Sequence, residues 1–473
     1  MRPPGSLDPR LASLDRLSRV PLQEQLYERF RRAIAEGRLT AGKRVPSTRA
    51  LANELGVARG TVDAAYARLA GEGYLVTSGP AGTIVSPTLR PGTRPPSRAR
   101  PGSHVPAPQP AAAPLPFQMG LPALDMFPRT LWARLAARAA KRQSAAGLAY
   151  PDPAGLPGLR EAIAAYLAVS RGVLCEARHV VITGGYQAAI SVLARVLLRP
   201  GDKVWFEEPG YFLGRQALEA ASARLVAVPV DDDGMRVDRA VAQAGNARLA
   251  VVTPAHQSPL GVALSLPRRQ ALLAWAEACR AWILEDDYDS EFHYVGRKLP
   301  ALKSLDAPER VIYAGSFSKT LFPGLRLGYL VAPPPLVGGI VKALRIMRGG
   351  EASLGQAVAA EFMAEGHFAR HLKRMRGLYA ERRAALAEAL LESFGTEIEL
   401  PPRAGGMHLL ARFPRGGDDT AMVRRALAHH LAPTSLSSHY IGRACEQGLL
   451  LSFTNIPQAE AFRHAEALRR AIG

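Results

Sequence analysis

Cysteine is scarce in this 473-residue chain, with three residues in all. Cys175, Cys279 and Cys445 are odd in number and far apart, so neither a disulfide framework nor a zinc cluster is indicated. Long apolar runs are missing as well, which excludes a membrane-crossing helix. The opening residues, MRPPGSLDPR, hold no apolar stretch of the kind a secretory leader needs, and the expectation is a cytoplasmic protein. Acid is the third shortage: 41 Asp and Glu stand against 60 Lys and Arg, a formal net charge of +19. That excess favours contact with a polyanion, although by itself it gives only nonspecific attraction. The chain is too long for one core and suits a small domain joined to a large, two-lobed one.

Residues 20–86 carry the small module. PLQEQLYERFRRAIAEGRL repeats apolar residues at Leu22, Leu26, Phe30 and Ile34, the period of an amphipathic helix, and Gly37 closes it. VPSTRALANELGV follows, with Ser47 as N-cap and Leu51, Leu55 and Val57 turned inward. ARGTVDAAYARLAGEGY gives a third helix ended by Gly71 to Gly73, and YLVTSGPAGTIVS reads as a hairpin around Gly79 to Gly82. Three helices and a hairpin make a winged helix-turn-helix. The strings RVPSTRALANELGV and TVDAAYARL closely resemble the GntR family of regulators. That resemblance implies that the third helix enters the major groove of DNA with Arg59 and Thr61 at base edges. It also implies phosphate contacts from Arg44, Ser47, Thr48 and Arg49 at the start of the second helix, with the wing around Gly82 against the neighbouring groove. Gly60, inside the third helix, departs from a good helix former and costs about 1 kcal/mol relative to alanine.

Proline, alanine and arginine dominate SPTLRPGTRPPSRARPGSHVPAPQPAAAPLP, and apolar periodicity is absent. Such a segment is a semi-rigid spacer that extends about 3.1 Å per residue. Arg90, Arg94, Arg98 and Arg100, with no acids between them, either keep it soluble and extended or touch DNA phosphates. The organisation read here is a tail at 1–19, the winged module at 20–86, a linker at 87–116 and a large domain at 117–473.

In the large domain, GSFSKTLFPGLRLGY lies between two strand-like runs, VIYAG and LGYLV. A lysine flanked by hydroxyls and followed by one arginine suits a cofactor aldehyde that condenses with the amine while its dianionic phosphate is gripped nearby. Lys319 is the candidate Schiff-base residue, and Ser316, Ser318 and Arg326 the phosphate grip. A pyridine cofactor of this kind also needs a carboxylate to keep its ring nitrogen protonated. AWILEDDYDSEF supplies acids where a buried parallel strand would end, with Asp286 assigned to the ring nitrogen and Tyr288 to the ring hydroxyl. VVITGGYQAAISVLARVL is a strand, a glycine turn and a helix. Gly184, Gly185, Tyr186 and Gln187 there present backbone N–H groups to phosphate.

In this order, and with YPDPAGLPGLREAIAAYLAVSRGV upstream, the segments resemble the fold type I pyridoxal-phosphate aminotransferases, an α/β fold, along most of 117–473. The resemblance implies that Tyr211, in VWFEEPGYFLGR, stacks on the cofactor ring and that TPAHQSPLG lies under it. Two departures stand out. The usual asparagine before the proline is absent, and His256 and Gln257 stand nearby, with His256 the candidate contact. The arginine that clamps a substrate carboxylate is replaced, in GLLLSFTNI, by Leu450; Arg215 and Arg403 are the candidates to substitute for it.

The whole layout is similar to the MocR branch of GntR regulators. This resemblance implies a homodimer, arranged head-to-tail, that binds promoter DNA and carries pyridoxal phosphate as a sensor group. The effector is then either pyridoxal phosphate itself, in control of vitamin B6 synthesis, or an amine or amino acid. The alternatives are an active aminotransferase with an attached DNA-binding domain, or a DNA-binding protein whose large domain only dimerises.

Overall fold

Apolar residues spaced at helical period make the first element, α1 (Leu22–Ala35), which buries Leu26, Tyr27, Phe30, Ala33 and Ile34 and leaves Leu22 half-buried. The computed structural model describes residues 14–16, 18, 20–77, 82–88, 113–296 and 299–473. It divides into two units, Met1–Ala111 and Ala112–Gly473.

In the first unit α2 (Thr48–Leu55) begins where Ser47 accepts a hydrogen bond from the Ala50 amide at 3.2 Å. It ends at Gly56, whose positive φ suits a helix C-terminus. The third helix, α3 (Arg59–Gly71), buries Val62, Ala65, Tyr66 and Leu69, and its Tyr66 ring meets Phe30 edge-on at 5.4 Å. Strands β1 (Leu75–Thr77) and β2 (Thr83–Val85) pair antiparallel with Leu75 opposite Val85. The result is a winged helix-turn-helix with one apolar core. The wing turn at 78–81, with Gly79, and the linker arginines Arg90, Arg94, Arg98 and Arg100 lie outside the described residues, as do residues 1–13.

The second unit opens with α4 (Arg129–Arg142) and α5 (Pro157–Arg171), then alternates strand and helix. Its elements run β3 (Val180–Thr183), α6 (Tyr186–Leu197), β4 (Lys203–Glu208), α7 (Phe212–Ala220), β5 (Arg224–Asp231), β6 (Gly234–Met235) and α8 (Val237–Ala244). They continue with β7 (Leu249–Val252), α9 (Leu266–Ala278), β8 (Trp282–Asp287), β9 (Val311–Ser316) and β10 (Gly328–Val331). These strands form one eight-stranded sheet in the order β3-β10-β9-β8-β7-β4-β5-β6. Only β10 and β6 run against their neighbours. Helices cover both faces, so the strands are apolar throughout. Val181, Phe206, Val251, Leu284, Ile312 and Leu330 face the core under α6, while Trp205, Ala250, Val252, Ile283 and Val311 face the opposite core.

The chain then forms α10 (Pro334–Arg348), α11 (Ser353–Ala364) and the long α12 (His367–Phe394). A small C-terminal sheet follows, in which β13 (Leu449–Ser452) lies between β11 (His408–Ala411) and β12 (Thr434–Ser435), with α13 (Asp419–Ala428) and α14 (Ala461–Ile472) beside it. Among the described residues no helix is long and apolar enough to cross a membrane, and no cluster of metal-ligating side chains occurs.

This topology collects the candidate residues at one edge of the large sheet. Strands β3, β4, β7, β8 and β9 share a direction, and their carboxyl ends lead into Gly185, Tyr211, Thr253, Asp286 and Lys319. Because β10 runs the other way, its amino end, just after Arg326, reaches the same edge.

Candidate functional site

Lys319 sits in the turn after β9, and its Nζ donates to the Gly120 carbonyl at 2.9 Å. Burial pushes its pKa below the usual lysine value, opposed by Asp289 and then Asp286. A lysine held this way is readily neutral and nucleophilic. Gly120 has φ +85°, and a Cβ there would stand 3.1 Å from Lys319 Nζ, so the backbone passes over the amine at a distance only glycine permits.

Asp286, at the end of β8, is buried, and desolvation pushes its carboxyl well above the ordinary range. The Tyr186 hydroxyl hydrogen-bonds to it and opposes that rise. Among the described residues Asp286 forms no ion pair, and a protonated pyridine nitrogen supplies the partner a buried carboxylate needs. The Tyr288 hydroxyl is also buried and closes no well-formed hydrogen bond among the described residues. The Ser258 hydroxyl is close enough to influence it. Tyr211 precedes α7 with its ring centroid 6.0 Å from that of Tyr186. Burial, then the Asp286 charge, lift its pKa to about 12, while Arg326 opposes them.

Arg326 adopts φ +52°, a left-handed conformation costing about 1–2 kcal/mol outside glycine. Its guanidinium lies 3.8 Å from where a Cβ on Gly185 would sit, directly over the amino end of α6. Two positive features thus converge, the guanidinium and the helix dipole, an arrangement that electrostatics disfavours unless an anion sits between them. Ser316 and Ser318 close a small turn beside it, with the Ser318 amide donating to Ser316 Oγ at 3.2 Å. Gln187, at the second position of α6, is exposed. The residues present fit pyridoxal phosphate.

The structure divides the acidic run EDDYDSE by direction. Asp286 turns to Tyr186, and Asp287 turns to Arg171 and Tyr313, at 2.6 Å each. Glu285 accepts from the Leu302 and Lys303 amides at 2.8 Å each. His256 Nδ1 lies 3.1 Å from Asp289 Oδ1 and its ring stacks on His293. Asp289 in turn acts on Lys319 and Tyr288. Gln257 is buried and donates to the Pro209 and Ser258 carbonyls at 2.8 Å each. Ser258 and Gly120 are the site residues that sequence reasoning missed. The position of Ser258 just before Pro259, where the asparagine was sought, is the signal that could have found the first.

Leu450 is fully buried between Leu410 and Thr434, in an apolar cluster with Leu260, Leu436 and Tyr440 and with Met119 packed against it. Both arginines named as substitutes for the clamp are held by carbonyls beside this cluster. Arg215 donates to the Tyr440 carbonyl at 2.6 Å and Arg403 to the Leu260 carbonyl at 2.8 Å.

In the winged module Arg59 is exposed at the start of α3, with Asp63 3.4 Å away, and Thr61 is half-buried one turn in. A Cβ on Gly60 would meet nothing within 4 Å, so the glycine is not imposed by packing within the module. Ser47 and Arg49 are exposed and Thr48 is half-buried at the amino end of α2. The first turns of α2 and α3 contain no acid, and α3 has no side-chain cap, which leaves amide donors for phosphate. Arg44 differs from expectation. It forms a bridge with Ile84 of the wing, and its guanidinium lies 3.0 Å from where a Cβ on Gly82 would sit, four residues ahead of α2.

Residues 127–444 match the family described as aminotransferase class I and II, and residues 22–85 match that of bacterial regulatory proteins, gntR family. The chain is 38% identical over 473 residues to the probable rhizopine catabolism regulatory protein MocR of Rhizobium meliloti, covering 97% of this chain and 95% of that one. It is 35% identical over 430 residues to the HTH-type pyridoxine biosynthesis transcriptional regulator PdxR of Corynebacterium glutamicum, covering 91% of each. Among solved structures, Pyrococcus horikoshii kynurenine aminotransferase aligns with a TM-score of 0.70 and 28% identity, over 76% of this chain and 91% of that one. LysN, the α-aminoadipate aminotransferase of Thermus thermophilus, aligns with a TM-score of 0.70 and 29% identity over 76% and 92%. It was solved with N-(5'-phosphopyridoxyl)-L-leucine bound. The cofactor of this domain is pyridoxal phosphate. The chain belongs to the gntR family of bacterial regulatory proteins, in its MocR-type branch, with an aminotransferase class I and II domain behind the helix-turn-helix.

Proposed function

We propose that this regulator binds promoter DNA as a homodimer and uses its aminotransferase-like domain to sense pyridoxal phosphate. One observation carries the reading. The groups that suit the cofactor converge at one sheet edge, whereas the position of the substrate-carboxylate clamp is Leu450, sealed in an apolar cluster. Leucine cannot replace a bidentate guanidinium, so an amino acid carboxylate has no partner there. The name of the Corynebacterium relative, a pyridoxine biosynthesis regulator, agrees with the cofactor as the signal.

When bound, pyridoxal phosphate supplies an aldehyde and an electron-withdrawing ring. Lys319 presents a buried amine of lowered pKa, and Gly120 aligns it through its carbonyl. Asp286 holds the proton on the ring nitrogen, Tyr288 donates to the ring oxygen, and Tyr211 covers the ring. Arg326, Ser316, Ser318 and the first amides of α6 hold the phosphate. On the DNA side Arg59 and Thr61 read base edges, while Arg44, Ser47, Thr48 and Arg49 hold phosphates and Gly82 supports the wing. Dimerisation is supported by a patch on the second unit where Leu148, Tyr150, Ile346 and Met347 are exposed, Tyr150 to 98%.

The retained Lys319, Asp286 and Arg326 set favours a second reading, an amine or amino acid effector or an active aminotransferase. Absorbance of the protein titrated with pyridoxal phosphate, beside Lys319→Ala, with operator binding read in the same samples, tests both. A lysine-dependent band that rises with a change in DNA affinity is the expected result. A band without any such change would move the signal to an amine, and transamination of a common amino acid at ordinary enzyme rates would contradict the sensor reading.

A further inference from the structure

Behind the loop that carries Ser258 lies a cavity of about 550 Å³ that none of the assigned roles uses. Its charged and polar walls come from five separate parts of the second unit: Arg171, Asp232, His256, the pair Ser290 and His293, and the pair Arg403 and Arg412. Several donors in these walls are left without an acceptor among the described residues. They are Arg171 Nη2, Arg412 Nε and Ser290 Oγ, and beside them His256 Nε2 is an unpartnered acceptor when Nδ1–H donates to Asp289. Arg171 and His256 are 2% and 4% exposed, so solvent does not readily satisfy them. Arg403 is the least neutralised cation there. It donates to the Leu260 and Pro402 carbonyls; of the two carboxylates that act on it, Asp232 is 3.9 Å away with a side chain 97% exposed, and Glu446 is already paired with Arg412 at 2.7 Å.

We infer that this cavity binds a small dianion, a dicarboxylate or a phosphate, on Arg403 and Arg412, at a site separate from the cofactor. Guanidinium groups and unmet N–H donors are the chemistry that recognises such groups. The wall is wired to the cofactor edge. Arg403 packs across Gly261 and holds Leu260, in the loop that carries Ser258. Arg171 holds Asp287 and His256 holds Asp289, the residues flanking Asp286 and Tyr288. An anion that draws Arg403 inward therefore shifts the setting of both cofactor partners, which is coupling between two sites through shared side chains. The site itself does not depend on whether the cofactor is the signal.

Calorimetry of the full-length protein with succinate and with inorganic phosphate, before and after loading with pyridoxal phosphate, tests this. Arg403→Gln is expected to weaken binding about tenfold or more through loss of the charge-assisted contacts. Asp232→Asn, at an exposed position that folding does not need, is expected to tighten it, since a competing carboxylate is removed. Binding of only one of the two probes identifies the source of the anion and supports the site. Binding lost in Arg326→Ala but kept in Arg403→Gln puts the anion in the cofactor's phosphate seat and overturns the inference. So does the absence of heat with both probes at millimolar concentration.

Discussion

At the scale of single residues, Gly120 and Glu207 make the sharpest claims. A side chain at Gly120 would be strained by φ +85° and would press on Lys319. Gly120→Ala is therefore expected to weaken pyridoxal phosphate binding about tenfold and to cost about 1 kcal/mol of stability, measured by absorbance titration and by denaturant unfolding. Glu207 is buried beneath the loop that carries Ser258 and accepts from Thr253 and Gln257. Desolvation pushes its pKa up to about 7 from an ordinary value of 4.5, against those hydrogen bonds. An acid raised in the folded state contributes stability that is whole below pH 4.5 and is lost as pH rises to 7, up to about 3 kcal/mol for this group. Glu207→Gln should flatten that loss, and melts between pH 4.5 and 8 would show it. An unchanged pH profile would mean that Glu207 stays ionised through compensation absent from its surroundings. Lys319, Asp286 and Arg326 were legible in the sequence because their chemistry demands adjacent hydroxyls, strand-end acids and a following arginine. Gly120 was not, since its partner lies 199 residues away, and spacing says nothing about such a contact.

Elements explain what could be read and what could not. Periodicity gave α1 its buried face, and Ser47 before α2 carried its own capping signal. The acidic run that ends β8 and continues past it was legible as a cluster but not by direction. Which acid meets Tyr186, Arg171 or His256 depends on strands and helices far apart in sequence. The pairing of His256 with Asp289 was for that reason not foreseen. Arg44 was assigned to α2 when its bridge is to the wing, because antiparallel pairing across a hairpin has no local signature in its neighbours. In the winged module Ser47→Ala is expected to cost about 1 kcal/mol, read by thermal unfolding of the full chain. Arg49→Ala is expected to weaken DNA binding evenly across sequences and reduce the salt slope by about one, whereas Arg59→Ala should relax sequence preference. An Arg59→Ala protein with unaltered preference would remove that residue from base reading.

For the whole molecule, the basic excess of the sequence and the pairing of a winged module with an aminotransferase-like unit set the function class, while subunit association rests on surface chemistry. Leu148, Tyr150 and Ile346 are each more than two-thirds exposed, and Met347 42%, which makes them candidates for burial against a second subunit. Tyr150→Asp with Leu148→Asp is expected to shift the protein toward monomer in sedimentation and to weaken binding to a two-half-site operator, leaving single-site binding in place. A variant that remains dimeric would assign the patch to another contact. The central claim is that cofactor occupancy is read out as DNA affinity, and a ligand can do this only through unequal affinity for two arrangements of the protein. The measurement that tests it most directly is operator affinity across a pyridoxal phosphate titration, in wild type and Lys319→Ala. The expected result is an affinity that changes in step with the lysine-dependent absorbance band and stays flat in Lys319→Ala. An affinity independent of the cofactor in the wild type, with the band fully formed, would contradict it.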